Sequence, residues 1–281
     1  MKKLLIRTAS GAVYVLLMLF AIYGGKLLGT GNQDITGSII FCSIFFVIAD
    51  IGAFEVVHNL RLANRSVNGV LALILSCLSF LLLSPFGLLC IPIISIVALF
   101  PFLVMLTQLW RHDEHPMECI GNTLLPLFWV ILPLVMLSFL HMVSPGIVMM
   151  LFILIWVNDS FAYLTGMLLG RHKMWERHSP GKTWEGTAGG FLFCVATAIF
   201  VGPLFNTPVN SWWIWMAIGI LTSIAGTLGD LVESMFKRSC GVKDSGRIMP
   251  GHGGILDRFD STMIVGPLVE VLVLIIPFAV K

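Results

Sequence analysis

Charged residues are scarce in this chain. Only 11% of its 281 residues are Asp, Glu, Lys or Arg, whereas 57% are hydrophobic. A mean hydropathy of +0.95 excludes an ordinary water-soluble domain. Basic residues interleaved with aromatic residues are also lacking, so nucleic acid is not an expected partner.

Cysteine patterns typical of a disulfide framework or a zinc site are missing. None of the six cysteines belongs to a CxxC pair, and most lie inside apolar runs, so we expect packing thiols. The sequence also lacks low-complexity linkers and obvious internal repeats. We therefore expect one integral-membrane unit, with N-terminal helices in residues 1–145 and helices that carry the polar motifs in residues 146–281.

Continuous apolar runs of about 20 residues take up most of the chain, and such runs predict transmembrane helices. The expected fold class is an all-α polytopic membrane protein. It would have about nine transmembrane helices, a cytoplasmic amphipathic helix and polar loops that form the active site. The predicted spans are 10–25, 36–57, 68–84, 88–109, 123–143, 146–169, 187–206, 211–229 and 260–280.

Lysine and arginine are distributed unevenly between the predicted loops. If the N-terminus is cytoplasmic, only Lys26 and Lys281 of the 17 basic residues fall on the other side. Cytoplasmic loops of membrane proteins carry such an excess of positive charge. We therefore expect the N-terminus and the polar loops in the cytoplasm.

The segment GDLVESMFKR, residues 229–238, is amphipathic at helical spacing. Asp230, Glu233, Ser234 and Lys237 fall on one side of the helix, and the apolar residues fall on the other. A helix that lies on the membrane surface is the alternative interpretation. An acidic stripe with a serine favours a functional face.

The segment KDSGRIMPGHGGILDRFD, residues 243–260, combines groups that suit phosphate and metal. Glycines let a backbone approach phosphate, cations pair with it, and carboxylates suit a hard ion such as Mg²⁺. The glycines, cations and acids are Gly251, Gly253, Gly254; Lys243, Arg247, Arg258; and Asp244, Asp257, Asp260. His252 lies among the glycines. The alternative is a solvated loop with turn glycines.

The segment SPGKTWEG, residues 179–186, partly resembles a phosphate-binding loop. It is not a Walker A motif, because Glu176 stands where that motif requires glycine. Lys182 is either a phosphate contact or part of a basic loop beside the membrane.

Acidic residues also occur inside the apolar runs. Asp159 lies within the sixth predicted span, where a carboxylate is costly and indicates function by default. The alternative is an interhelical hydrogen bond beside tight packing of Gly166 and Gly170. For Asp50 and Glu55, near the second span, a structural role is favoured.

The ordered polar residues between 234 and 260 resemble the signature of phosphatidate cytidylyltransferases, also called CDP-diacylglycerol synthases. They run Ser234-x-Phe236-Lys237-Arg238, Lys243-Asp244-x-Gly246 and Pro250-x-His252-Gly253-Gly254-x-x-Asp257-Arg258-x-Asp260. Supporting matches are Trp156…Asp159…Tyr163…Gly166 and Ser179-Pro180-Gly181-Lys182-Thr183. Asn158 departs from the family pattern, which more often has a small residue there.

The resemblance implies that CTP and phosphatidate react to CDP-diacylglycerol and diphosphate with Mg²⁺. A metal centre, with a second ion left open, maps onto Asp230 and Asp257, and Lys237 and His252 join them as catalytic groups. The implied substrate-binding residues are Ser179, Lys182, Ser234, Arg238, Lys243, Asp244, Gly251, Gly253, Gly254, Arg258, Asp260 and Asp159.

The expected partners are the two substrates and the lipid bilayer, and a homodimer is left open. A CTP-dependent polyprenol or dolichol kinase is the alternative enzyme, since it would use similar phosphate chemistry. An ion-coupled transporter, with Asp159 and Asp50 as ion sites, is the alternative from another class.

Overall fold

Helices form nearly all of the structure. A computed structural model describes residues 2–28, 33–85, 91–111, 113–205, 207–209, 211–249, 251 and 253–279. The helices are α1 (Lys2–Leu27), α2 (Gln33–Leu62), α3 (Gly69–Leu83), α4 (Ile91–Ala98), α5 (Phe100–Gln108), α6 (Pro116–Pro126), α7 (Leu132–Val143), α8 (Pro145–Leu169), α9 (Trp184–Val201), α10 (Trp212–Ser239) and α11 (Leu256–Ala279). A π-helical turn, Leu127–Ile131, joins α6 to α7, and a 3₁₀ turn, Gly202–Leu204, follows α9.

The predicted all-α polytopic membrane fold is confirmed. Within the described residues, six helical stretches are long and apolar enough to cross a membrane. They are Thr8–Leu27, Ile35–Leu62, Pro116–Val143, Pro145–Leu169, Trp184–Leu204 and Trp212–Ser239. The expected number of nine spans stays a prediction.

One predicted span is divided in two. The run 88–109 contains α4 and α5, which are separated at Leu99. Pro101 lies in the first turn of α5. Because proline lacks a backbone N–H, it suits the start of a helix better than its interior. Apolar composition predicts one continuous span here. It does not indicate the break, which comes from the backbone conformation around Leu99.

A β-hairpin occupies the predicted polar loop between α8 and α9. Strand β1 (Lys173–Trp175) pairs antiparallel with β2 (Ser179–Thr183), with Lys173 opposite Thr183. The Glu185 carboxylate accepts the backbone N–H groups of Arg171 and His172 at 3.1 and 3.2 Å. These strands are not predicted by the sequence, because β2 contains proline and glycine, which are rare in strands.

The described residues form two compact units along the chain. Unit 1 comprises residues 1–142 and 239–258. Within it, α2 packs against α1, α3 and α6. The Phe41 ring on α2 stacks on His141, with centroids 4.1 Å apart, and His141 Nε2 lies 3.0 Å from the carbonyl oxygen of Ile22. A buried polar ring in this apolar core therefore has a hydrogen-bonding partner.

Unit 2 comprises residues 143–238 and 259–281, and small residues let its helices approach closely. A methyl group at Gly190 on α9 would lie 2.7 Å from the carbonyl oxygen of Asn158 on α8. On α10, Gly226 accepts a hydrogen bond from Ser261 Oγ of α11 at 3.0 Å. Small residues at such contacts are typical of helix packing in membranes. The expected division at residue 145 stays a prediction.

The α8–α9 contact gives a prediction on stability. Gly190→Ala should lower the free energy of unfolding by about 1–3 kcal/mol, because the added methyl group must displace backbone. Gly121→Ala is the matched control, since nothing lies within 4 Å of a methyl group there. Thermal unfolding in detergent measures both variants. Equal stability of the Gly190 variant and the unchanged protein would show that the helices are not closely packed at this point.

Candidate functional site

The polar face of α10 is buried in the protein. Glu233 is fully buried, whereas Asp230, Ser234 and Lys237 are half-buried. Val232, on the opposite side of the helix, is exposed. A helix that simply lies on a membrane would keep its acidic face in water. The full burial of Glu233 therefore favours a functional face over that alternative.

Two lysines pair with the carboxylates of this face. Lys182 Nζ, from β2, lies 2.6 Å from Asp230 Oδ2 and donates to the carbonyl oxygen of Thr227 at 3.2 Å. Lys237 Nζ lies 2.5 Å from Glu233 Oε2, one helical turn away. Only 22% of the Lys182 side chain and 13% of the Lys237 side chain are exposed. Water therefore screens these ion pairs less than it screens a pair on the surface.

Asp260 contributes a third carboxylate from α11. One oxygen from each of Asp230, Glu233 and Asp260 lies within 4.8 Å of the other two. Glycine makes this approach possible, because a methyl group at Gly229 would lie 2.7 Å from the carbonyl oxygen of Asp260. Asp260 Oδ1 also accepts the backbone N–H of Ser261 at 2.6 Å. We call Asp230, Glu233, Asp260, Lys182 and Lys237 the acid–lysine cluster.

The acid–lysine cluster fits a divalent cation by its donor chemistry. Its ligand atoms are carboxylate oxygens, which hard ions such as Mg²⁺ prefer. Three carboxylates face two lysines. The cluster therefore keeps a formal negative charge that a cation can balance.

Asp257, in the first turn of α11, is held by the loop before that helix, residues 243–255, which we call the signature loop. Asp257 Oδ2 accepts the backbone N–H of Ser245 at 2.9 Å, the Ser245 hydroxyl at 2.9 Å and the backbone N–H of Gly254 at 2.7 Å. Gly253 has a φ of +86°, and a methyl group there would lie 2.5 Å from Asp257 Oδ2. Contacts inside the protein therefore explain these glycines, and their predicted approach to phosphate stays a prediction.

The two predicted metal ligands belong to different units. Asp230 lies in unit 2, where Glu233 and Asp260 accompany it, and Asp257 lies in unit 1. Their joint role as ligands stays a prediction. His252, the predicted catalytic histidine, lies outside the described residues.

The other predicted site residues differ in burial. Ser234 Oγ donates to Asp230 Oδ1 at 3.3 Å, so the structure brings Ser234 to the cluster. Ser179 is half-buried in β2, opposite Trp175. The exposed predicted residues are Asp159, Arg238, Lys243, Asp244, Gly251 and Arg258. The structure thus leaves most of the basic signature residues accessible to a soluble ligand.

Asn158 makes an interhelical hydrogen bond of the kind expected as the alternative role of Asp159. Ser223 Oγ on α10 donates to Asn158 Oδ1 at 2.6 Å, and Asn158 is buried. The Asp159 carboxylate accepts from Asn158 Nδ2 at 3.4 Å. Asn158 therefore ties α8 to α10, and Asp159 remains a candidate of its own.

Three residues at these sites are not among the predicted catalytic or binding residues. Helical spacing puts Glu233 on the polar face, three residues after Asp230, but indicates no specific role for it. Glu55 has only the expected structural role, and Ser245 has none. No local pattern indicates Ser245, because its partners Glu55 and Asp257 are 190 and 12 residues away in the chain.

A sequence model described as the cytidylyltransferase family matches residues 5–276 of the chain. A phosphatidate cytidylyltransferase of Staphylococcus aureus is 52% identical over 126 residues, and that of Staphylococcus haemolyticus is 51% identical over 124 residues. These alignments cover 44% of this chain and 47% of each relative. The chain thus spans about half the length of the curated relatives that it matches.

The buried ion pair of α10 gives a prediction on stability. Glu233→Gln and Lys237→Met should each destabilise the protein by about 3–5 kcal/mol, because each leaves a buried charge without its partner. The double variant should lose much less stability than the sum of the two single losses, since it removes both charges. Thermal unfolding of the four proteins in detergent measures the coupling. If the two single losses of stability add up to the loss in the double variant to within about 0.5 kcal/mol, the two side chains do not interact energetically.

Proposed function

Because the chain belongs to the cytidylyltransferase family, we propose that it is a phosphatidate cytidylyltransferase. It would convert CTP and phosphatidate to CDP-diacylglycerol and diphosphate. The acid–lysine cluster carries the proposal, since it places cations for phosphate beside carboxylates for a metal ion. The names of the staphylococcal relatives support the choice of phosphatidate as the acceptor.

In the proposed reaction, a phosphate oxygen of phosphatidate attacks the α-phosphorus of CTP. A new P–O bond forms, the bond from the α-phosphorus to the oxygen that bridges to the β-phosphate breaks, and diphosphate leaves. The attacking phosphate is already anionic at neutral pH, so it needs no strong general base. Positioning and charge stabilisation therefore supply most of the rate.

The basic residues of the chain offset the charge of both substrates. Lys182 and Lys237 are held beside the carboxylates of α10, and Arg238, Lys243 and Arg258 are exposed. Ammonium and guanidinium groups both bind phosphate, the guanidinium group by two parallel hydrogen bonds. We assign these five residues to the triphosphate of CTP and the phosphate of the lipid.

Carboxylates would hold the Mg²⁺ ion that the reaction requires. Asp230 and Asp257 are the ligands that the family resemblance indicates, and Glu233 and Asp260 offer further oxygen donors beside Asp230. When bound, Mg²⁺ neutralises phosphate charge and orients the triphosphate. Of the remaining predicted residues, Ser179, Ser234, Asp244, Gly251, Gly253, Gly254 and Asp159 stay assigned to substrate binding, and His252 to catalysis.

The lipid substrate accounts for the membrane fold. Phosphatidate keeps its acyl chains in the bilayer, so its phosphate reaches an enzyme at the membrane interface. The positive charge of the predicted cytoplasmic loops supports a cytoplasmic N-terminus and a cytoplasmic site, where CTP is available. We propose the inner membrane of a bacterium as the location and keep a homodimer open.

Labelled CTP tests the reaction. Purified protein with phosphatidate, Mg²⁺ and CTP labelled at the α-phosphate should move the label into the lipid fraction, whereas label at the γ-phosphate should leave as diphosphate. A CTP-dependent lipid kinase would instead move the γ label into lipid. An ion-coupled transporter would move neither label and would carry solute without consuming nucleotide. Either result would overturn the proposed function.

Single substitutions test the predicted metal ligands. Asp230→Asn and Asp257→Asn should each lower kcat by about 100-fold or more, because each removes a charge that the transition state requires. Glu118→Gln is the control, since Glu118 forms an exposed ion pair with Arg65. A chelator should abolish cytidine incorporation, and added Mg²⁺ should restore it. Full activity of either aspartate variant, in protein shown to be folded, would exclude that residue as a ligand.

A further inference from the structure

Besides Asp257, unit 1 contains another acidic residue of interest, Glu55. Glu55 is buried and has no part in the proposed reaction. Glu55 lies on α2 and is only 3% exposed. A carboxylate inside an apolar helix is costly unless hydrogen bonds compensate for its lost hydration. The partners of Glu55 therefore indicate why the chain keeps it there.

The Glu55 carboxylate binds the start of α11. Oε1 accepts the backbone N–H of Ile255 at 3.0 Å, and Oε2 accepts the backbone N–H of Leu256 at 2.8 Å. The first N–H groups of a helix lack partners within the helix and carry partial positive charge. Glu55 thus caps α11 from a helix that is about 200 residues earlier in the chain.

The same side of α2 also holds the other end of the signature loop. Glu55 Oε2 lies 3.1 Å from the hydroxyl oxygen of Ser245. One helical turn further on, Asn59 Nδ2 donates to the carbonyl oxygen of Ser245 at 2.8 Å, and Asn59 is buried. Glu55 and Asn59 therefore fix both ends of the loop between Ser245 and Leu256.

Two loop glycines make room for Glu55. A methyl group at Gly254 would lie 2.5 Å from both carboxylate oxygens of Glu55, and a methyl group at Gly246 would overlap Glu55 Oε1. Real side-chain carbons do not approach an oxygen so closely. The backbone of the loop is thus shaped around this carboxylate.

The contacts of Glu55 lead directly to Asp257. Ser245 Oγ, 3.1 Å from Glu55 Oε2, is 2.9 Å from Asp257 Oδ2, and the N–H groups of Ser245 and Gly254 donate to that same oxygen. We propose that Glu55 is a positioning residue, which fixes Ser245, Ile255 and Leu256 and thereby the carboxylate of Asp257. This role rests on the proposed function, in which Asp257 is a metal ligand.

The first test replaces the carboxylate by an amide of the same size. In Glu55→Gln, the amide nitrogen must face one of the two N–H donors from Ile255 and Leu256, so one hydrogen bond is lost. The Mg²⁺ concentration for half-maximal cytidine incorporation should rise about 10-fold or more, since residues that orient metal ligands affect metal affinity or activity by about 10- to 100-fold. The control Asp50→Asn, on the same helix, should leave this Mg²⁺ concentration unchanged.

The Mg²⁺ titration separates positioning from simple support of the fold. If Glu55→Gln only lowered the amount of folded protein, the remaining active enzyme would keep the half-maximal Mg²⁺ concentration of the unchanged protein. That result, or normal kinetics throughout, would overturn the inference. Glu55→Asp keeps the charge on a shorter side chain and should retain more activity than Glu55→Gln.

A double variant tests the path through Ser245. Ser245→Ala removes the hydroxyl that lies between the two carboxylates and should raise the half-maximal Mg²⁺ concentration. If Glu55 acts through this loop, Glu55→Gln with Ser245→Ala should be little worse than Glu55→Gln alone. If the two substitutions together raise the half-maximal Mg²⁺ concentration by the product of their separate factors, Glu55 and Ser245 act independently and the inference is contradicted.

Hydrogen exchange tests the inference without any activity. Peptides that span residues 245–256 should exchange amide hydrogens at least about 10-fold faster in Glu55→Gln than in the unchanged protein or in Asp50→Asn. Unchanged exchange would overturn the positioning role. If exchange is faster in Glu55→Gln but the unchanged protein incorporates no cytidine, the role of Glu55 is supported and the proposed function is overturned instead.

Discussion

A carboxylate buried in an apolar protein must find compensating partners, and both units of this chain are organised around that constraint. In unit 2 the partners are ammonium groups, because Lys182 and Lys237 pair with Asp230 and Glu233. In unit 1 they are mainly backbone N–H groups, which the signature loop directs at Glu55 and Asp257. The first arrangement joins side chains to each other, whereas the second also fixes the backbone.

Several glycines of the chain make room for these buried carboxylates. Gly229 lets α11 approach α10 so that Asp260 joins the other acids, and Gly254 leaves space for the carboxylate of Glu55. A glycine-rich loop in a phosphate-binding sequence is readily interpreted as a cradle for phosphate. Here the described contacts assign Gly246, Gly253 and Gly254 first to protein carboxylates. The hydrogen bonds to Glu55 and Asp257 hold Ser245 and residues 254–256 in place before a ligand arrives, so binding loses less entropy there.

The sequence predicted what depends on neighbouring residues and missed what depends on distant ones. Apolar runs predicted the helices, and helical spacing predicted that Asp230 and Lys237 share a face of α10. The hairpin after α8 was missed, because the residues of β2 have low strand propensity and the side chain of Glu185 supports it. The partnership of Glu55 with Leu256 joins residues that are 201 positions apart, and no local period indicates it.

On the proposed function, the paired charges of α10 also determine what happens when substrates bind. CTP and phosphatidate bring several phosphate charges, which compete with Asp230 and Glu233 for Lys182 and Lys237. A lysine that turns to a phosphate leaves a carboxylate in need of another positive partner, and oxygen donors favour a divalent cation. The lysines would thus exchange carboxylate for phosphate while the carboxylates exchange lysine for metal. On the proposed function, such an exchange would account for residues of both charges on one largely buried face, where either charge alone would be costly before the substrates arrive.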